Sequence, residues 1–229
     1  MLVPPLIPQN TQRERFLSAV SHARRVYGVV GEQGLARVPS RRLRGREVSL
    51  FWSDEAVAER LAPEVAAKPR VRAYPLGELL TGVLPGLAEH RRLVGLDWTG
   101  GEVEVELDPM DFAERLRLAS LNAFVAAVQR SGAVFTLEGS VGPGLLVSQT
   151  RPDVLLLPCW ADPGEAHAGL EGPWRDMLVI ETPLETFLRE RLIWLKKNGH
   201  LVGPDYKGGP GALEMQPDDL IVRLQQKAA

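Results

Sequence analysis

The segment Phe51-Trp52-Ser53-Asp54 is matched 108 positions later by Cys159-Trp160-Ala161-Asp162. The same offset superimposes further residues whose types are too uncommon for chance matching, above all prolines and paired glycines. These are Phe16 and Phe124, Pro75 and Pro183, Pro109 and Pro217, Leu93-Val94-Gly95 and Leu201-Val202-Gly203, and Gly100-Gly101 and Gly208-Gly209. A constant register over this length predicts two copies of one domain, joined head to tail without an insertion.

The offset also sets the predicted domain boundaries. The first copy is expected over residues 10–117 and the second over residues 118–229. An extended arm, apolar and rich in proline, is expected over residues 1–9. The joint between the copies falls in a stretch with helical spacing of apolar residues, so we do not expect a flexible Gly/Ser linker there.

Each copy is predicted to be a small α+β domain. In the first copy, apolar residues at helical spacing indicate an opening helix over residues 13–25. Three strands are expected over residues 26–30, 34–38 and 47–52. Residues 102–107 alternate strictly between glutamate and apolar residues, which predicts a strand with one acidic and one apolar face. The complete order is αβββαβαββα, an antiparallel or mixed sheet with helices packed on it.

The composition is that of an ordinary soluble globular protein, with 45% hydrophobic and 24% charged residues and a formal net charge of -2. This charge predicts no general attraction to nucleic acid or to anionic lipid. The single cysteine, Cys159, excludes an internal disulfide and a multi-cysteine zinc site. We therefore expect a protein of a reducing compartment, the cytoplasm, with no membrane span and no signal peptide.

The order of these features resembles a bacterial family, the domain of unknown function 2750, present here twice. The residues that carry the resemblance in the first copy are Phe16, Val26, Tyr27, Gly28, Phe51, Trp52, Ser53, Asp54, Pro75, Leu76 and Pro109. Those of the second copy are Phe124, Val134, Phe135, Cys159, Trp160, Asp162, Pro183, Leu184, Phe187 and Pro217. More loosely, the chain is similar to SseB-like domains. The resemblance implies the fold and no particular reaction.

The second copy departs from the family pattern at three positions. Ala161 stands where the first copy has Ser53, Pro163 stands in place of Glu55, and Thr136 stands in place of Gly28. If the region around the tryptophan binds a ligand, the two copies are not expected to be equivalent.

The repeated tryptophan steps are the first candidate sites. Trp52, Ser53 and Asp54, and in the second copy Trp160 and Asp162, place an aromatic ring at a strand end beside a helix N-terminus. Such a ring can stack on a ligand while backbone amides hold an anion. The interpretation we prefer is a core tryptophan followed by a helix cap, with Ser53 as the cap in the first copy and Asp54 in the first turn, because caps of this kind are common.

The pairs Asp97-Trp98 and Asp205-Tyr206, each followed by two glycines within four residues, are further candidates. A carboxylate beside an aromatic ring can bind a ligand. Turn formation explains the same residues, because aspartate and glycine are what tight turns require, and we prefer that interpretation.

Arginines crowd one region of the first copy, and the second copy has no equivalent cluster. The candidate nucleic-acid patch is Arg37, Arg41, Arg42, Arg44 and Arg46. Phosphate contacts by these residues would produce a mobility shift of DNA or RNA that weakens with salt and is lost when Arg41, Arg42 and Arg44 are replaced. A solvated loop, or pairing with the glutamate face of residues 102–107, is the interpretation we prefer.

The sequence contains no recognisable catalytic or metal-binding set. Its four histidines lack metal spacing, no phosphate-binding loop or nucleophile elbow occurs, and Cys159 is expected to be a small buried apolar residue. The leading prediction is therefore a non-enzymatic protein without a cofactor, whose tandem domains form a platform for a protein partner. Nucleic-acid binding by the arginines and small-molecule sensing at the tryptophan steps are the alternatives.

Overall fold

The computed structural model of the protein describes residues 9–100, 105–206 and 212–226. The chain divides into two compact units with a boundary between Ser120 and Leu121. One helix, Pro109–Ser131, crosses this boundary. Within the described residues, no helix is long and apolar enough to cross a membrane.

The elements follow the same order in the two units. Those of the first unit are α1 (Gln9–Ala23), β1 (Arg25–Gly31), β2 (Gly34–Leu35), β3 (Arg37–Pro39), β4 (Glu47–Trp52), α2 (Glu55–Val65), β5 (Arg70–Pro75), α3 (Leu76–Glu78), a π-helical turn (Leu79–Val83), α4 (Leu84–Glu89), β6 (Leu93–Leu96), β7 (Glu106–Leu107) and the first half of α5 (Pro109–Ser131).

The second unit begins with the remainder of α5. Its other elements are β8 (Ala133–Gly139), β9 (Gly142–Pro143), β10 (Leu146–Val147), β11 (Leu155–Cys159), α6 (Pro163–Ala168), a 3₁₀ turn (Gly172–Trp174), β12 (Leu178–Pro183), α7 (Leu184–Thr186), a second π-helical turn (Phe187–Arg191), α8 (Leu192–Lys197), β13 (Leu201–Pro204) and α9 (Pro217–Gln225).

The first unit is built on one mixed sheet. Along it the strands run β5, β1, β4, β6 and β7, while β2 pairs with β1 and β3 pairs with β4. The pairing of β4 with β6 is parallel and the other pairings are antiparallel. The predicted α+β class with a mixed sheet is thus confirmed, since helices pack on this sheet.

Neighbouring residues of β4 face opposite sides of the sheet, because side chains alternate along a strand. Phe51 lies on the side covered by α1, α4 and α5, in a cluster with Phe16 and Phe112. Trp52 lies on the side covered by α2, in a cluster that includes Leu61. The two faces are therefore closed by different helices, and α2 is the helix that packs on the face of the tryptophan.

The second unit repeats the strand pairing of the first at the offset of 108. Tyr27 pairs with Trp52 between β1 and β4, and Phe135 forms an isolated bridge with Trp160 at the equivalent place. The parallel pairing of β4 with β6 recurs between β11 and β13. The duplication predicted from the sequence is therefore present in the backbone hydrogen bonding.

Three details differ from the predicted elements. The strand expected over residues 34–38 is two short strands, β2 and β3, because β2 pairs with β1 whereas β3 pairs with β4. Gln9, expected in the extended arm, begins α1, and residues 1–8 lie outside the described part of the chain. In the predicted acidic face, Glu102 and Glu104 also lie outside it, and Glu106 is buried at 3% exposure.

Candidate functional site

In the first repeat the tryptophan step is closed. Trp52 has 0% exposed surface, and its indole Nε1 donates a hydrogen bond of 2.7 Å to the backbone oxygen of Trp98. The amide of Ser53 donates to Asp97 at 2.8 Å, and the Ser53 hydroxyl donates to the same carboxylate at 2.9 Å. A ligand has no face of Trp52 on which to stack, so the residue is part of the core.

The helix after each tryptophan is capped by an aspartate, so the cap in the first repeat is Asp54 and not Ser53 as predicted. Asp54 accepts a hydrogen bond of 3.0 Å from the amide of Val57, and Asp162 accepts one of 3.0 Å from the amide of Glu165. Both caps satisfy an amide that has no partner inside its own helix.

Asp97 and Asp205 occupy the same turn in the two repeats, with φ of 44° and 45°. Aspartate tolerates this left-handed conformation better than most residues, in agreement with the turn interpretation. Burial raises the pKa of Asp97 above its ordinary value, although the hydrogen bonds from Ser53 act in the opposite direction. In the second repeat Ala161 supplies only its amide, 3.3 Å from Asp205.

The second repeat has a cavity of about 680 Å³ beside its tryptophan. Three aromatic residues line it, Trp160, Trp174 and Tyr206, together with three carboxylate residues, Asp162, Glu165 and Glu171. The rest of the lining is apolar or small and consists of Leu146, Gly164, Ala168, Gly169 and Pro173. A volume of this size, mostly apolar with a few polar groups, is typical of sites for small organic molecules.

The cavity exists because α6 is short. It ends at Ala168, whereas its counterpart α2 continues to Val65 and places Leu61 in the cluster around Trp52. Gly169 stands where the first repeat has Leu61, and a Cβ atom on Gly169 would lie only 3.0 Å from the Trp160 ring. The second repeat therefore has no side chain at the position of Leu61, and the backbone at Gly169 packs against the Trp160 ring, which is 1% exposed.

The path after α6 turns away from a helix at Gly172. This residue has φ of 55°, in the left-handed region that favours glycine, and Pro173 follows it. The resulting 3₁₀ turn carries Trp174 to the cavity, where its ring meets Tyr206 edge-on with ring centroids 6.2 Å apart.

The aromatic residues contribute unequally to the cavity surface. Trp160 and Tyr206 are 1% and 6% exposed, so they form its floor, whereas Trp174 is partly exposed and forms a wall. Burial raises the pKa of the Tyr206 hydroxyl, with a smaller opposing effect of the hydrogen bond from Gln149. Tyr206 is consequently a neutral phenol at physiological pH.

Sequence reasoning named Trp160, Asp162, Asp205 and Tyr206, and three of these four, all but Asp205, line the cavity. It missed the residues that make the two repeats different, above all Gly169, Glu171 and Trp174. A signal was present, because at the offset of 108 the segment Glu171-Gly172-Pro173-Trp174 stands against Pro63-Glu64-Val65-Ala66.

A second repeated feature is a glutamate that anchors the loop before the central strand. Glu106 accepts hydrogen bonds from the Ser40 hydroxyl at 2.6 Å and from the Arg41 amide at 2.8 Å. Its counterpart Glu214 accepts from the Thr150 hydroxyl at 2.6 Å and from the Gln149 amide at 2.8 Å. Glu106 is therefore a structural residue and not part of a solvated acidic face.

The candidate arginine patch lies mainly on this loop. Arg41, Arg42, Arg44 and Arg46 are exposed, and the guanidinium of Arg42 donates to the backbone oxygen of Glu106 at 2.6 Å. The fifth member, Arg37, pairs with Glu47 across β3 and β4 at 3.0 Å.

Groups that could perform metal or thiol chemistry are not assembled in the described residues. No cluster of three or more His, Cys, Asp or Glu side chains that could hold a metal ion occurs within residues 9–100, 105–206 and 212–226. Cys159 is fully buried, and burial together with the charge of Asp205 raises its pKa well above the usual value. The thiol is therefore not activated as a nucleophile.

The fold and the duplicated register define a tandem α+β protein in which one small domain occurs twice. The chain belongs to the DUF2750 family, described as "Protein of unknown function (DUF2750)", whose family model matches residues 13–116 and again residues 121–224. The family resemblance inferred from the sequence is thereby confirmed. No curated protein matches the chain.

Two solved structures are similar to the chain at low identity. Anabaena Tic22 (protein transport) is 14% identical, with 98% of this chain and 100% of that chain covered and a TM-score of 0.28. Tic22 from Plasmodium falciparum is 10% identical, with 83% and 89% covered and a TM-score of 0.26. TM-scores this low do not support an inference about the fold or the function of this protein.

Proposed function

We propose that this protein is a non-enzymatic binding protein whose second repeat takes a small organic molecule into the cavity beside Trp160. The observation that carries the proposal is the cavity of about 680 Å³ with its aromatic floor and wall. Apolar concave sites with a few placed polar groups are where proteins hold small ligands, because burial removes apolar ligand surface from water.

The first repeat supports this proposal by contrast. It has the same cap and the same turn, but Leu61 packs in the cluster with Trp52, which has no exposed surface. We propose that the first repeat is a structural scaffold. In this proposal the first repeat, in which Leu61 packs with Trp52, contributes stability, and the second repeat, which has the cavity, binds the ligand.

The absence of catalysis is part of the same proposal. It is supported by the raised pKa and full burial of Cys159. A cytoplasmic location also belongs to the proposal and rests on the single cysteine. The protein-interaction platform inferred from the duplication stays a prediction, and so does nucleic-acid binding by the exposed arginines of the first repeat.

The test is a thermal-shift screen of the full-length protein against a panel of soluble aromatic and alkyl compounds of each charge, followed by titration of intrinsic tryptophan fluorescence. Trp174→Ala removes the cavity wall, and we expect it to weaken any saturable binding by at least about tenfold. The matched control is Trp194→Ala, in the same repeat, because Trp194 is 38% exposed and lies outside the cavity.

Binding that is lost in Trp174→Ala and retained in Trp194→Ala supports the proposal. If no compound binds, or if both variants bind as the wild type does, the proposal is wrong. Trp174→Leu, which keeps an apolar side chain but removes the ring, replaces Trp174→Ala if that variant does not fold.

A further inference from the structure

We infer that the molecule held by the second-repeat cavity is an organic cation, a primary amine or quaternary ammonium group attached to an apolar body. This inference rests on the proposed function, since it names the chemistry of the ligand for the same cavity. It depends on the charge of the lining, on its aromatic residues and on a comparison with the first repeat.

The lining of the cavity carries only negative charge. Asp162, Glu165 and Glu171 are among its lining residues, and in the described part of the chain these include no lysine, arginine or histidine. Asp162 also caps α6, so Glu165 and Glu171 are the carboxylates that the fold does not require for a cap. An anionic ligand would meet repulsion from all three groups, whereas a cation gains from each.

The equivalent positions of the first repeat carry no such bias. Val57 stands in place of Glu165, Pro63 in place of Glu171, and Arg60 in place of Ala168. Only Asp54 and Arg60 are charged among the first-repeat counterparts of the lining residues, so that their formal charges cancel. The negative charge of the cavity is therefore specific to the second repeat.

Aromatic residues supply the second recognition element. Trp174 lines the cavity and is partly exposed, whereas Trp160 and Tyr206 also line it but are only 1% and 6% exposed. Ring faces attract ammonium groups, tryptophan most strongly, and the attraction grows as the cation loses water. Trp174 replaces Ala66 of the first repeat, so this element is also specific to the second.

The three residues that favour a cation, Glu165, Glu171 and Trp174, have no counterparts of the same type in the first repeat. The first repeat forms the same strand register and the same aspartate cap without Glu165, Glu171 or Trp174 at the corresponding positions. A metal ion is a poor candidate for the occupant, because the described carboxylates do not converge into a group that could hold one. An organic cation uses both the charges and the rings.

The test measures three probes with one phenylethyl body and different charges: 2-phenylethylamine, 2-phenylethanol and phenylacetate. Each is titrated into the full-length protein by isothermal calorimetry at low and high salt. We expect the amine to bind about tenfold more tightly than the alcohol, and the acid most weakly. The difference between amine and alcohol should shrink as salt screens the carboxylates.

Two double variants assign the effect to the cavity. Glu165→Gln with Glu171→Gln is expected to lower amine affinity by about three- to tenfold, with the affinity for the alcohol unchanged. Glu55→Gln with Glu59→Gln makes the same change of charge on exposed positions of α2 in the first repeat, and is expected to leave both affinities as in the wild type.

Equal or tighter binding of the alcohol or the acid would overturn the inference, as would an amine affinity that does not respond to the Glu165 and Glu171 changes. The proposed function survives either result if binding still depends on Trp174. If none of the three probes binds, the inference is wrong, and the proposed function then depends on whether another compound of the panel binds at Trp174.

Discussion

The two repeats agree closely where the backbone forms its sheet and differ where it covers the tryptophan. Between Trp52 and the start of β5, the first repeat uses one helix, Glu55–Val65. Over the same number of residues, the second repeat uses the short α6 and a 3₁₀ turn. Both segments then enter the next strand in the same register, as the pairing of Pro75 with Arg25 and of Pro183 with Ala133 indicates.

The segment between the tryptophan and the next strand can therefore change its path without disturbing the sheet, because both of its ends are fixed. The aspartate cap fixes the start of each segment, and the strand pairing of β5 or β12 fixes its end. Between these points Leu61 packs in the cluster around Trp52, whereas the backbone at Gly169 packs against the Trp160 ring. Because the core on the other side of the sheet does not depend on this segment, a ligand site can form there at small cost to the fold.

The largest expected effect that tests this comparison comes from the two tryptophans. Trp52→Ala should lower the free energy of unfolding by about 4 kcal/mol, since it empties a filled core and leaves the backbone oxygen of Trp98 without its hydrogen bond. Trp160→Ala should cost about 1 kcal/mol less, because a glycine rather than a leucine packs beside the Trp160 ring, although its indole donates the equivalent hydrogen bond of 2.6 Å to the backbone oxygen of Tyr206.

The measurement is native-state hydrogen exchange by mass spectrometry on the full-length chain, which reports each repeat separately. Phe51→Leu serves as a control for substitution on the opposite face of β4. Equal costs for the two tryptophan variants would mean that the cavity does not reduce the packing around Trp160.

A smaller effect is expected at the paired glutamates. Glu106→Ala leaves the Ser40 hydroxyl and the Arg41 amide without their partner, and should destabilise the loop they belong to by about 2 kcal/mol, because Glu106 is 3% exposed. Glu214→Ala should cost about 1 kcal/mol, because Glu214 is only partly buried and water can replace the carboxylate.

Exchange protection of the amides in the two loops measures this prediction. Arg41 and Gln149 are the reporting positions, since each donates its amide to the glutamate of its repeat. A larger loss in the second repeat than in the first would contradict the assignment of burial as the deciding factor.

The smallest expected effect is that the pKa values of Glu214 and Asp97 shift in opposite directions. Burial tends to raise the pKa of Glu214, but hydrogen bonds from Ser148, Thr150 and Gln149 outweigh it and leave the pKa below the ordinary glutamate value. Burial raises the pKa of Asp97 above the ordinary aspartate value. The stabilising contribution of Glu214 is therefore present above its unfolded pKa and lost as pH falls through the lower folded pKa, whereas that of Asp97 increases as pH falls through its raised pKa.

Amide chemical shifts in a pH titration by NMR measure both groups in one sample. Gln149 reports Glu214 with a midpoint below the glutamate value, and Ser53 reports Asp97 with a midpoint above the aspartate value. A midpoint for Gln149 above the ordinary glutamate value would show that hydrogen bonding at Glu214 does not exceed the effect of burial.

Much of the fold was predictable because its signals are local. The helix start after each tryptophan and the turns at Asp97 and Asp205 depend on residues within a few positions along the chain or on backbone conformation that only some residues tolerate, although the cap in the first copy is one residue later than predicted, at Asp54. The division of residues 34–38 into β2 and β3 was not predictable, because it depends on which distant strand each half pairs with.

The candidate site was predictable only in part. Trp160 and Tyr206 were named as aromatic residues at strand and turn ends, but the same reasoning named Trp52 and Trp98, which are core. Single-residue patterns could not separate these cases, because the separation lies in whether a neighbouring segment covers the ring. Trp174 lies in a segment with no periodic pattern, and its approach to Tyr206 is a tertiary contact.

By itself the sequence determined that one domain occurs twice, that each copy is α+β, and that the family is DUF2750. These conclusions rest on rare residues in constant register and on short-range capping and turn chemistry. The burial of Glu106 and the cavity beside Trp160 became visible only in the folded structure. Burial and cavities depend on which side chains from distant elements meet, and the chain after Gly169 takes a path that the pattern of residues did not predict.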